Sequence, residues 1–194
     1  VSLHDALPIY ECYETYQKKY ADTDPYKTHP VQDPLLAKPK STRIYSQLKV
    51  SPDGNYVLYT TNELGQYKIF LYDVQKKKAK RIVKSGAKID RINDYSFPLL
   101  AWHPSGKIFT YIEEKKGFMV MTTYDMESRE KTKRNIFGFE KILDYSYNDD
   151  GKKFVMSAVQ KGQTDIFIFT AASNGYEQIT KDLYDDLTTR FVHN

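Results

Sequence analysis

Cysteine is nearly absent from this chain, and long apolar runs are absent altogether. Cys12 is the single cysteine among 194 residues, which excludes an internal disulfide and a cysteine metal cluster. No apolar stretch approaches the roughly 20 residues that a transmembrane helix needs. His29, His103 and His193 never lie at metal-ligand spacing, either with one another or with Cys12. We therefore expect no transmembrane segment in this sequence, no metal and no cofactor.

Aromatic residues, by contrast, are abundant. The chain has 17 Tyr and 10 Phe, and many of them alternate with polar residues, which favours β-strands. Charged residues make up 28% of the chain and the formal net charge is +4. Because the basic excess is spread along the sequence, nucleic acid is not expected as a partner. The composition indicates a globular, strand-rich protein.

The first 42 residues stand apart from the rest. Residues 2–9 resemble the in-frame translation of a common sequencing-library adapter, so residues 1–9 are interpreted as adapter-derived and not as part of the fold. Tyr13, Tyr16 and Tyr20 recur at helical spacing, which predicts the remnant of an amphipathic helix over residues 10–22. Four prolines between 23 and 42 predict an extended linker.

From residue 43 onward the sequence repeats. Three tight-turn glycines, Gly54, Gly106 and Gly151, are each followed 11 residues later by a second glycine, at Gly65, Gly117 and Gly162. Three copies with one internal spacing indicate a repeat architecture. The first three glycines directly precede a strand, so we expect them to have positive φ or a close-turn geometry. All six are predicted to be structural turn residues.

Each repeat predicts four short strands and therefore one blade. The predicted strands are 44–50, 56–61, 67–73 and 79–84, then 97–102, 107–113, 117–125 and 131–137, then 141–147, 152–159, 164–170 and 175–180. The blades span about 43–84, 97–137 and 141–180, and a fourth copy starts at 187–194. Since that copy breaks off before its turn glycine, the chain is interpreted as part of a longer reading frame. The fold class predicted is all-β: an incomplete β-propeller of three four-stranded antiparallel blades and the first strand of a fourth.

Two stretches carry a resemblance to a known family. Residues 51–59 (SPDGNYVLY) with 68–73 (KIFLYD), and residues 164–169 (TDIFIF) with 176–180 (YEQIT), resemble the TolB-type propeller repeat. The whole chain looks like the large TolB-like propeller proteins of Bacteroidetes. The WD-repeat pattern fits less well, because no Trp-Asp dipeptide ends a third strand. The resemblance implies a protein-binding propeller in the bacterial envelope or periplasm.

The sequence contains no recognisable catalytic signature. There is no Gly-x-Ser-x-Gly motif. Asp53, Asp149 and Asp150 lack the alternating oxygen ligands of a calcium loop and are interpreted as turn formers. Lys76, Lys77 and Lys78 are interpreted as a solvated outer hairpin. We therefore expect no catalysis within this chain.

The candidate binding residues lie in the loops that join one blade to the next. In propellers these loops share a face with the turns between the second and third strands, and polar loops on a rigid scaffold tend to carry binding residues. The predicted binding residues are Asp90, Arg91, Asn93, Asp94, Tyr184, Asp185 and Asp186.

Three functions remain open at this stage. The first is a non-catalytic scaffold that binds a protein or another macromolecule. The second is the regulatory propeller of a prolyl oligopeptidase-like serine peptidase, for which a Gly-x-Ser-x-Gly motif in downstream sequence would be decisive. The third is a carbohydrate-processing propeller, whose catalytic carboxylates are not identifiable here.

Overall fold

The computed structural model describes Thr15, Lys18, Lys19 and residues 40–88 and 94–191. The chain divides into two units, Val1–Lys38 and Pro39–Asn194, and the architecture below is that of the second. Thr15, Lys18 and Lys19 are helical. The rest of the predicted helix, the linker before Lys40 and the adapter-like residues lie outside the described residues.

Residues 44–178 form three antiparallel sheets of four strands each. The first sheet contains β1 (Ile44–Val50), β2 (Tyr56–Glu63), β3 (Gln66–Asp73) and β4 (Lys78–Ser85). The second contains β5 (Leu99–Trp102), β6 (Ile108–Lys115), β7 (Phe118–Asp125) and β8 (Lys131–Ile136). The third contains β9 (Lys141–Tyr147), β10 (Lys153–Gln160), β11 (Gln163–Thr170) and β12 (Gly175–Gln178). Strands pair in sequence order within each sheet, which confirms the predicted four-stranded propeller blades.

The glycine turns set the hairpins. Gly54, Gly106 and Gly151 have φ of 73°, 68° and 71°, as their position before the second strand predicts. In the hairpin between β2 and β3, Leu64 and Gly65 have φ of 52° and 82°, the pattern of a two-residue type I′ turn. The ladder therefore continues to the pair Glu63↔Gln66, and β2 is two residues longer than predicted.

Two apolar clusters hold the three blades together. The cluster between blades one and two joins Leu58 and Ile69 to Phe109 and Tyr124. The cluster between blades two and three includes Ile112, Met121, Phe154, Phe167 and Phe169. Because successive strand residues face opposite sides of a sheet, blade two contributes alternate residues of β6 to each cluster. The middle blade is therefore covered on both faces.

The start of a fourth blade was predicted at 187–194. Residues 192–194 lie outside the described residues, and residues 187–191 form no hydrogen-bonded ladder. A strand needs a neighbouring strand to pair with, and the described chain provides none beyond them. They lie instead along β9. The Ser146 hydroxyl donates to the Thr189 carbonyl at 3.5 Å, and Arg190 pairs with Asp144 at 2.5 Å. This segment therefore flanks the innermost strand of blade three.

Candidate binding site

The hairpin between β2 and β3 and the loop that joins blade one to blade two meet at one face of these blades. The Gln66 side-chain amide, next to the β2–β3 hairpin, donates to the Gly86 carbonyl in the loop between the blades at 3.2 Å. The approach is close, since a Cβ built on Gly86 would lie 2.9 Å from the Gly65 carbonyl oxygen. This contact fixes the start of the β4–β5 loop against the hairpin and forms one wall of a cleft.

The cleft has a volume of about 760 Å³. It lies between the β2–β3 hairpin and the β6–β7 hairpin, below the start of the loop that joins the two blades. Amide, hydroxyl, carboxylate and ammonium groups all contribute to its walls. The lining residues are Asn62, Gly65, Tyr67, Ser85, Gly86, Asp94, Phe97, Glu113, Glu114, Lys115 and Lys116.

A buried carboxylate lies at the base of this cleft. Glu113 is only 2% exposed, because it shares the face of β6 that Phe109 and Tyr111 turn toward blade one. Burying a charge is costly unless it is paired and hydrogen-bonded. Here the Tyr67 hydroxyl donates to one carboxylate oxygen, and the Lys115 ammonium binds the other. Glu113 is thus fixed by one residue from each blade.

Tyr67 is held as a hydrogen-bond donor. Burial, followed by its hydrogen bond to Glu113, raises the pKa of Tyr67 well above its usual value near 10. The hydroxyl therefore keeps its proton throughout the physiological range. Tyr67 and Lys115 each donate to one carboxylate oxygen of Glu113, and each of these oxygens has a further lone pair.

Around the cleft, charges of both signs are exposed or paired. Glu114 and Lys116 are exposed at its mouth. At the neighbouring end of β2, the Glu63 carboxylate binds Lys88 and also Arg43, the latter at 3.2 Å. The hydrogen bond from Lys88 is the main cause that lowers the pKa of Glu63. The surface around the cleft is therefore mixed in charge.

Asp94 is the predicted binding residue that lines this cleft. Its carboxylate accepts from the Lys141 ammonium at 2.7 Å and from the Ser96 backbone N–H at 2.9 Å. Burial opposes its ionisation, but these hydrogen bonds outweigh burial and lower the pKa of Asp94. Asp94 thus links the cleft to β9 of blade three. Asp90, Arg91 and Asn93 lie outside the described residues.

The second predicted group lies after blade three. Tyr184 is 79% exposed, and its backbone N–H donates to Asp182 at 2.8 Å. Asp186 donates its backbone N–H to the Thr164 carbonyl at 3.2 Å, and Asp185 is exposed. In the part of the chain that the structure describes, no hydrogen bond or ion pair joins Asp94 to any of these three. The predicted residues therefore form two separate groups.

The aromatic residues on the innermost strands serve the contacts between blades. The Trp102 indole N–H donates to the Lys49 carbonyl at 3.0 Å, which joins β5 to β1. Tyr145 is 1% exposed, and its hydroxyl lies 2.9 Å from that of Thr110 in blade two. The indole N–H of Trp102 and the hydroxyl of Tyr145 are thus used in contacts between blades.

Sequence reasoning missed the pair Glu113 and Tyr67. A signal for it existed in the repeat. Glu113 occupies the second-strand position, seven residues after the turn glycine, that Thr61 and Ala158 occupy in the other copies. Those two residues are 3% and 0% exposed. An acid at an inward position requires a partner, so the aligned copies single out Glu113, although they do not identify Tyr67 as that partner.

Two further properties concern the described residues alone. Among them, no group of three or more His, Cys, Asp or Glu residues is arranged to hold a metal ion. Nor do they contain a helix with the length and apolarity needed to cross a bilayer.

Comparison with known proteins places the blades among β-propellers. The chain is similar to TolB from Acinetobacter baumannii, with a TM-score of 0.57 and 18% identity over 71% of this chain and 32% of that one. It is similar to the β-propeller domain of the Trilobed protease from Pyrococcus furiosus, with a TM-score of 0.53 and 13% identity over 74% and 45%. A nidogen–laminin complex gives a TM-score of 0.54 at 10% identity over 73% and 49%.

These similarities establish the fold. They agree with the propeller architecture implied by the TolB-type repeats in the sequence. The chain spans about a third of the Acinetobacter TolB and less than half of the Trilobed protease propeller. No protein-family model and no curated protein matches the chain.

Proposed function

We propose that this chain is part of a non-catalytic propeller scaffold that binds a protein or another macromolecule through the loop face between blades one and two. The observation that carries the proposal is the cleft on that face, with Glu113 held at its base by Tyr67 and Lys115. A pre-formed concavity with a few fixed polar groups is the usual form of a binding site.

The chemistry of the cleft favours a partner that inserts a donor group. Glu113 is held by one group from each blade, so little ordering is needed when a guanidinium, ammonium or hydroxyl from the partner approaches it. Glu114 and Lys116 at the mouth are exposed and opposite in charge. They supply orientation and specificity more than affinity, as rim charges do.

The proposal of a protein partner in the envelope rests on similarity to other proteins. One similar structure is a complex of nidogen with laminin, in which a propeller fold occurs in a protein–protein assembly. The resemblance of the repeats to the TolB type supports an envelope or periplasmic location. We therefore propose a protein partner in the bacterial envelope.

The regulatory propeller of a serine peptidase is the alternative function. It is favoured by the likeness to the Trilobed protease propeller, at a TM-score of 0.53. In that case the cleft would receive a surface of the peptidase domain or of its substrate. Coding sequence downstream of residue 194 that contains Gly-x-Ser-x-Gly would replace the scaffold proposal with this one.

Site-directed photo-crosslinking tests the scaffold proposal. A photoreactive amino acid is placed at Glu114, at the mouth of the cleft, or at Lys152, which is exposed beside the turn glycine Gly151. After irradiation in cells of the organism that encodes the chain, we expect a defined protein adduct from position 114 and none from position 152. The charge reversal Lys116→Glu should reduce that adduct. Equal adducts from both positions, or none from 114, would contradict the proposal.

A further inference from the structure

A second surface lies at the outer rim, between β4 of blade one and β8 of blade two. The segment from Val74 to Lys88 contains seven basic residues and no acidic one. β8 adds Lys131 and Lys133. The cleft described above lies on the loop face, so this rim is a different part of the molecule.

The register of β4 directs two of its lysines toward blade two. Residues directly opposite in an antiparallel pair share one face of the sheet. Lys80 is opposite Leu71, which packs against the cluster between blades one and two. Lys78 is opposite Asp73, two residues along the same face. Both lysines are exposed and lie on the side of β4 that faces blade two.

The register of β8 directs two lysines back toward blade one. Lys131 is opposite Tyr124, a member of the same cluster, and Lys133 is opposite Thr122 on the same face of β7. The Lys131 ammonium donates to the Ile82 carbonyl of β4 at 3.2 Å and lies 5.7 Å from the centre of the Tyr124 ring. The basic groove is defined here as Lys78, Lys80, Lys131 and Lys133.

The charge of the basic groove is largely uncompensated. Of the nearby acids, Asp73 is bound to Lys76 at 2.8 Å, and Asp125 accepts backbone N–H groups of its own turn. Glu127 lies 3.7 Å from Lys107, which leaves Glu130 as the acid beside β8. None of the four groove lysines forms an ion pair with another residue that the structure describes.

Protection of sheet edges is the simplest structural role for lysines on outermost strands. That role does not account for the difference between blades. β12, the outermost strand of blade three, contains Gly175, Tyr176, Glu177 and Gln178 and no basic residue. The lysines are concentrated where two outermost strands face each other, and this arrangement suits the binding of an anion.

We propose that the basic groove binds an extended acidic segment of a protein partner. Lysines two residues apart on one strand are about 7 Å apart, which matches the spacing of alternate side chains in an extended peptide. An extended segment with Asp or Glu at alternate positions would thus place carboxylates near both pairs of lysines. Single-stranded nucleic acid is less suited, because its binding relies on exposed aromatic rings, and Phe109 and Tyr124 are buried here.

Peptide binding to the whole chain tests the proposal. The probe is a fluorescein-labelled peptide of alternating Glu and Ser, and fluorescence anisotropy reports its binding at low salt. The test variant is K78Q/K80Q/K131Q/K133Q. The matched control, R81Q/K84Q/K153Q/K181Q, removes four exposed positive charges outside the groove. Circular dichroism confirms that both variants are folded.

We expect the groove variant to weaken peptide binding about tenfold or more and the control by less than about threefold. Binding should also weaken with added salt, because the contacts are exposed to solvent. Equal losses in the two variants would show that net charge alone is responsible and would overturn the proposal. So would the absence of peptide binding to the unmodified chain. Tighter binding of single-stranded DNA or polyphosphate, lost in the groove variant, would reassign the groove to phosphate polymers.

Discussion

Gly151, at the turn that opens β10, lies against the imidazole of His103, at the equivalent turn of blade two. A Cβ atom built on Gly151 would be 2.5 Å from Cε1 and 2.7 Å from Cδ2 of that ring. The ring is held in place, since Nδ1 lies 2.9 Å from the Ser105 hydroxyl and the ring meets Tyr147 edge-on at 5.4 Å. Gly151 is therefore required both for its φ of 71° and for the space it leaves.

Gly151→Ala should lower the free energy of unfolding more than Gly54→Ala does. Both glycines have φ near 70°, and a Cβ on Gly54 meets nothing within 4 Å. Gly54→Ala therefore carries the backbone cost alone, about 1 kcal/mol. Gly151→Ala should cost about 1–3 kcal/mol more because of the overlap with His103. Urea unfolding measures both values, and equal costs would contradict the steric argument.

Removing the ring should recover part of that difference. In the His103→Ala background the overlap is gone, so Gly151→Ala should cost about as much as Gly54→Ala. The interaction energy from this double-mutant cycle should then be about 1–3 kcal/mol. Strictly additive costs would show that His103 is not the obstacle.

Tyr67→Phe should make the unfolding free energy less dependent on pH in the alkaline range. The folded pKa of Tyr67 is raised by burial and by Glu113, so its contribution is complete below about pH 10 and is lost as the pH rises above that value. Without the hydroxyl, the unfolding free energy should fall less steeply above pH 10. The slopes of the variant and the unmodified chain should differ by about 1.4 kcal/mol per pH unit. Urea midpoints at pH 8 to 11 give the slope. Tyr184→Phe, at an exposed position, is the control and should leave the slope unchanged.

Asp53→Asn should flatten the pH dependence of stability on the acid side. The Ser51 hydroxyl at 2.5 Å and then the Asn55 amide at 2.7 Å are the main causes that lower the pKa of Asp53. A lowered folded pKa means that the contribution is present above the unfolded value near 4 and is lost as the pH falls below it. The midpoint of unfolding should therefore change less between pH 5 and pH 2 in the variant. Asp185→Asn serves as the exposed control, and an identical acid profile for Asp53→Asn and the unmodified chain would refute the role of this turn.

Trp102→Phe should destabilise the contact between blades one and two by about 1–2 kcal/mol. The Phe ring fills most of the volume of the Trp side chain. The Lys49 carbonyl, however, loses the indole N–H that donates to it at 3.0 Å. Arg134→Met is the matched change at the other interface, where the guanidinium donates to the Ala171 carbonyl at 2.5 Å. Because the two contacts lie on opposite sides of blade two, the costs should add in the double variant. A coupling well above about 0.5 kcal/mol would show that blade two transmits strain between them.

The blade pattern was predictable from the sequence because turn chemistry is local. Gly54 and Asp53 specify a tight turn through φ and through hydrogen bonds within five residues, and the spacing of such turns determined where strands begin. β1 and β9 occupy 44–50 and 141–147 as predicted. The second strands end one or two residues later than predicted, since the hairpin ladder continues to the edge of its two-residue turn. β12 was predicted too long, and the ladder with β11 ends at Phe167↔Gln178.

The candidate site was predictable only in part. Asp94 lines the cleft. Its place in a long polar loop can be read from the sequence, and its role in binding stays a prediction. Glu113 and Tyr67 are 46 residues apart and meet only when two blades pack face to face. No local pattern in either strand specifies that contact. The placement of Lys78 and Lys131 on the facing sides of β4 and β8 likewise depends on which face of each strand is turned inward.

The coverage of blade two on both faces has a consequence for how binding is communicated. Between the innermost strands of blades one and three, Lys49 lies 3.9 Å from Asp144. A partner in the cleft would favour those conformations in which blades one and two are docked, by an amount set by its concentration relative to its dissociation constant. The effect on blade three would then decay with distance, as in a one-dimensional chain of coupled units. Amide hydrogen exchange should accordingly slow most in β3 and β6 when a partner binds, and least in β12.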